Sequence, residues 1–118
     1  MQYLDVDEDN NRIVITMEGM FDVDEADRST RDAVETFESM NPGFDVVVDA
    51  KAMKASDQEA AEYLQRSKGA LSRLDVGTVV LVKSESVASR MQMNRVGERD
   101  YDLREADSVD AAHAMLDA

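Results

Sequence analysis

Phe44-Asp45-Val46-Val47-Val48-Asp49, followed seven residues later by Ser56-Asp57-Gln58-Glu59, decides the fold of this chain. Three consecutive valines cannot alternate between core and water, so this strand is expected to be covered on both faces, at the centre of a sheet. The S-x-x-E spacing is that of a capping box, in which hydroxyl and carboxylate satisfy the free backbone N–H groups of a helix start. A helix is therefore expected from Ser56. Its apolar face runs through Ala60, Leu64, Ser67, Leu71 and Leu74, with Ala61 and Ala70 beside it.

Downstream, a second buried strand is expected over residues 76–82, carrying Val79-Val80-Leu81-Val82 and ending at Ser84-Glu85-Ser86. Ser86 can cap a third helix that turns Val87, Ala88, Met91 and Val96 inward. A short strand over residues 101–104 and a last helix from Ser108, with Val109, Ala112, Met115 and Leu116 inward, complete the chain. Upstream, residues 3–7 and 12–17 read as strands, the second alternating Ile13, Ile15 and Met17 against Val14, Thr16 and Glu18. Asp9-Asn10-Asn11 between them suits a hairpin, because Asn and Asp tolerate positive φ. A helix capped by Asp24 follows, with Ala26, Thr30, Ala33, Val34 and Phe37 inward, and Asn41-Pro42-Gly43 stops it.

The order β-β-α-β-α-β-α-β-α implies an α/β fold. We expect one mixed, mostly parallel sheet of about five strands, with an N-terminal β-hairpin and about four helices. At 118 residues, 43% hydrophobic and 33% charged, the chain suits a single globular domain spanning 1–118.

Cysteine is absent, which excludes disulfides, thiolate metal sites and thiol catalysis. Its longest apolar runs are far too short to cross a bilayer, and no basic segment followed by an apolar one opens it. A cytoplasmic protein without integral membrane association is expected. The formal net charge of −13 repels phosphate backbones and argues against nucleic acid as a partner. With only four lysines, that acidity also suits a high-salt habitat, where screening relieves self-repulsion.

Asp5-x-Asp7-x-Asp9 has alternate carboxylates like a calcium loop, but Asn10 stands where such a loop needs Gly and Thr16 where it needs a bidentate Glu. A solvated hairpin accounts for it better, and helix capping accounts for Asp22-x-Asp24. His113 is the single histidine, so neither a histidine zinc site nor a Cys–His pair can be assembled. The five dispersed glycines form no phosphate-binding loop. No catalytic residue and no cofactor is indicated. Of the methionines, Met91 is expected in the core, whereas Met93 falls off the apolar face and suits an adaptable contact surface.

The junction from Asp49 through Lys51, Lys54 and Ser56 to Asp57 joins a strand's carboxyl end to a helix N-terminus, where α/β sheets tend to meet ligands and partners. Here the chain resembles the STAS superfamily, and within it the SpoIIAA-like group of small stand-alone domains. The resemblance rests on the opening hairpin, the strand around Val46-Val47-Val48, the loop to Ser56 and the strand Val79-Val80-Leu81-Val82. It extends to Val87-Ala88-Ser89-Arg90-Met91-Gln92-Met93 and to Asp110-Ala111-Ala112-His113-Ala114-Met115-Leu116. It implies a non-enzymatic regulatory domain, similar to anti-sigma-factor antagonists, that binds a protein partner through the loop and helix around Ser56. In those relatives the second Ser of a D-S-S-G-like motif is phosphorylated. Ser56 matches the first Ser, Asp57 takes the phosphorylated position, and the Gly is missing. A kinase cannot switch a fixed carboxylate, which favours a constitutive interaction module. The resemblance thus marks Lys51, Lys54, Ser56, Asp57 and Met93 as the partner-binding or switch residues. The alternative expectation is a carrier or sensor of a small apolar ligand or lipid held between sheet and helices. Homodimerisation through an exposed strand edge or the methionine-bearing helix is a further option.

Overall fold

The computed structural model describes residues 1–94 and 101–118, apart from the side chains of residues 89 and 92–94. Its strands are β1 (Gln2–Asp7), β2 (Arg12–Met17), β3 (Asp45–Asp49), β4 (Thr78–Val82) and β5 (Asp102–Ala106). Its helices are α1 (Val23–Ser39), α2 (Gln58–Arg73), α3 (Val87–Asn94) and α4 (Val109–Asp117). The strands form one sheet in the order β1-β2-β3-β4-β5, with β1 antiparallel to β2 and the other neighbours parallel. The three-valine strand is therefore central, as its sequence implies.

Each parallel strand is added on the same side of the one before it, and right-handed crossovers then bring successive helices to one face. On that face α1 and α2 enclose the main core. Ile13, Ile15, Val46 and Val79 of the sheet pack there with Ala33 and Phe37 of α1 and Ala70 and Leu71 of α2. Phe37 and Phe44 stack at a centroid distance of 5.8 Å. The opposite face is covered by α4, whose Ala112 lies on Val47 and Val80. Val46 and Val47 thus point into different cores, which is why neither position is polar.

Local chemistry sets the turns. Asn11 takes φ 51° at the end of the hairpin loop, and the Asp7 carboxylate accepts from the side-chain amide of Asn10 at 2.7 Å and from its backbone N–H at 3.3 Å. Those bonds, the side-chain one foremost, hold the Asp7 carboxyl below the usual carboxylate range. Gly43 has φ 84° where α1 hands over to β3. A Cβ at Gly77 would sit 2.6 Å from the Gly43 carbonyl oxygen, so only glycine lets these two loops meet.

Several sequence expectations change. Asp22, not Asp24, caps α1, accepting from the Glu25 N–H. The cap of α2 is Asp57, one residue beyond the expected start at Ser56, and its side chain makes no capping hydrogen bond. Val87 and Met91, expected inward, are 61% and 60% exposed, and Met115 of α4 is 39% exposed. A helix's period tells which residues share a face, not whether that face finds a core. Val96 lies outside the described residues. Ser108 caps α4 as expected, accepting from the Ala111 N–H at 3.0 Å.

Candidate functional site

The loops at the carboxyl ends of β2, β3 and β4 form one hydrogen-bonded platform. Its spine is the 50–57 loop. Lys54 N–H donates to the Gly19 carbonyl and Gly19 N–H to the Ala52 carbonyl, both at 3.0 Å, so the loops after β2 and β3 run together as a short parallel bridge. On the other side, Ala50 N–H donates to the Val82 carbonyl at 3.0 Å and Glu85 N–H to the Lys51 carbonyl at 3.2 Å. Ser84, 2% exposed, donates its hydroxyl to the Met53 carbonyl at 2.6 Å and accepts from the Ser86 N–H at 3.1 Å.

Ser56 is part of this stitching. Its hydroxyl is buried and accepts from the Phe21 N–H at 3.0 Å. Placed there, it fixes the loop after β2 to the entrance of α2 and is withdrawn from solvent. Lys51, Lys54 and Asp57 instead stand exposed on the platform. Lys51 Nζ lies 4.0 Å from the Glu85 carboxylate in a solvent-exposed pair, a geometry that contributes little to stability. Asp57 sits at the α2 N-terminus, where the helix dipole favours negative charge. Four of the five expected residues are therefore brought together in one loop. The fifth, Met93, belongs to α3, and its side chain lies outside the described residues.

Met53, in the middle of the platform loop, turns inward and is 6% exposed. Sequence reading passes over it because one methionine between lysines carries no period. It lines a cavity of about 150 Å³ between the sheet and α1 and α2. Ile15, Met17, Val48, Leu81 and Leu103 line its sheet side, and Ala33, Phe37, Ala61, Leu64 and Leu71 its helix side. Several polar groups on its wall have protein partners. The Gln2 amide donates to the Ser29 carbonyl at 2.8 Å, and the Thr30 and Ser67 hydroxyls donate to the Tyr63 and Leu64 carbonyls at 2.8 Å. Glu105 pairs with Lys83 at 2.9 Å, and Gln65, Lys68 and Tyr101 each have an interaction partner as well. The small residues Ala61 and Ser67 on the inner face of α2 are the only hint of this space in the sequence.

On the other side of the sheet, Arg12 is 5% exposed beneath α4. Its Nη1 lies 2.9 Å from His113 Nδ1 and its Nη2 donates to Asp117 at 2.8 Å. Arginine can only donate, so Nδ1 is the acceptor and the imidazole proton is on Nε2. The single histidine is thus a partner for a buried cation, a structural role. Among the described residues no group of three acidic or histidine side chains is arranged to hold a metal ion. No helix among them is long and apolar enough to cross a membrane.

No family model and no curated protein matches this chain.

Proposed function

We propose that the domain is a non-enzymatic, STAS-like regulatory module that binds a protein partner through the 51–57 loop and the first turn of α2. The observation that carries this reading is the contrast within the loop. Its backbone is pinned on both flanks and through Ser56, while Lys51, Lys54 and Asp57 project into solvent. A pre-ordered loop loses little conformational freedom on association, which favours binding over a floppy one. Lys51 and Lys54 stand beside Asp57 and Glu85, so the patch offers charges of both signs, which help fix the orientation of a partner with complementary charges. With Ser56 buried and Asp57 at the position of the relatives' phosphoserine, the interaction is constitutive.

The test is affinity capture from the native host with wild-type protein and with the double variant Lys54→Glu, Asp57→Lys, alongside thermal unfolding of both. A specific protein retained by wild type and lost by an equally stable variant is the expected outcome. Equal retention by both would sink the assignment of the partner surface to this loop.

The cavity favours a second reading, a carrier or sensor of a small apolar ligand. Its wall is mostly apolar side chains, the kind of surface that small apolar ligands occupy.

A further inference from the structure

We infer that the cavity beneath α2 binds a compact, uncharged apolar molecule about the size of one six-membered ring, and that its occupancy is read out at the 51–57 loop through Met53. The inference rests on the ligand reading above and adds the ligand's class and its output.

Size comes first. A volume of about 150 Å³ equals that of engineered apolar cavities that take up benzene or xenon. Chemistry comes second. Glu105 pairs with Lys83 and Lys68 also has a partner, so both charged groups on the wall already have an interaction. The Gln2, Thr30 and Ser67 donors are bound to backbone carbonyls. Most of the wall is then aliphatic and aromatic side chains, whose van der Waals contact rewards shape and apolarity in a ligand.

The output follows from the position of Met53. Its flexible thioether side chain forms cavity wall, and it can adapt to a guest. Its backbone cannot move alone. The Met53 carbonyl accepts from Ser84, its N–H donates to the Ala50 carbonyl at 3.0 Å, and the next residue, Lys54, is bound to Gly19. Repacking of the side chain is therefore transmitted to the loop that displays Lys51 and Lys54.

The experiment is titration of benzene into protein carrying 13C-methyl methionine and 15N amides, followed by NMR. Saturable shifts of the Met53 methyl together with the Lys51 and Lys54 amides are expected. Leu64→Phe, which fills the cavity, should weaken binding at least about tenfold, and the volume-conserving Leu64→Met should retain it. Shifts that persist unchanged in Leu64→Phe would place the guest elsewhere and overturn the site. Should Leu64→Phe fail to fold, wild type still decides: absence of saturable shifts overturns the ligand class, and a Met53 shift with still loop amides overturns the output. No partner protein takes part, so the result is independent of the charge-reversal test. Native mass spectrometry of protein from its own host separates this inference from the broader ligand reading. A larger bound amphiphile, without benzene binding, would overturn the compact class and leave the carrier standing.

Discussion

The hydroxyl of Ser56 lies 35 positions along the chain from the backbone N–H it accepts. Both ends of that bond are buried, Phe21 at 2% and Ser56 at 7% exposure. Ser56→Ala would strand the Phe21 N–H without an acceptor, at a cost of about 1–3 kcal/mol. Urea unfolding measures it, and a loss below about 0.5 kcal/mol would show the bond to be dispensable. The sequence could not announce this role. The S-x-x-E spacing is real, but the cap position of α2 falls on Asp57, and Ser56 accepts from a donor in another loop. Local motifs state what a side chain can do for its neighbours in sequence. They do not see a competitor that arrives from another loop.

Elements are more legible than single residues where their pattern is long and strongly constrained. The valine run of β3 demanded cover on both faces and has it, and the Asp9-Asn10-Asn11 turn delivers the left-handed residue its composition promised. The short helices misled. In α3, eight residues long, Val87, Ala88 and Met91 are all exposed, and in α4, nine, Met115 stays outside although Ala112 is buried. The cavity was illegible for the opposite reason, since it is made by what α2 lacks. That helix also carries an avoidable cost. Gly69 lies in its interior with open space where a Cβ would be and no need for positive φ. Gly69→Ala should stabilise the fold by about 0.5–1 kcal/mol. Thermal or urea unfolding of that single variant would show it, and destabilisation would mean that α2 needs the glycine for something the packing does not reveal.

At the scale of the whole molecule, charge is the dominant stress. A net charge of −13 on a chain with a radius of gyration of 13.1 Å sets many carboxylates within a Debye length of one another at low salt. The surface ion pairs, such as Arg31 with Asp27, are exposed and offset little of it. Raising sodium chloride from about 0.1 M to 1 M shortens the Debye length from about 10 to 3 Å, and the unfolding temperature should rise. A flat or falling response would show that self-repulsion is not what limits this fold. The sheet order, finally, equals the order of synthesis. No strand has to be inserted between two already placed, so each can dock on an open edge as it leaves the ribosome. Only the cover of the second face breaks this economy. Val47 and Val80 are made early, yet Ala112, which packs on them, emerges almost last. Translation arrested just after β4 should therefore give a nascent chain that photo-crosslinks to chaperones from position 47 or 80, and the crosslinks should vanish once α4 is released.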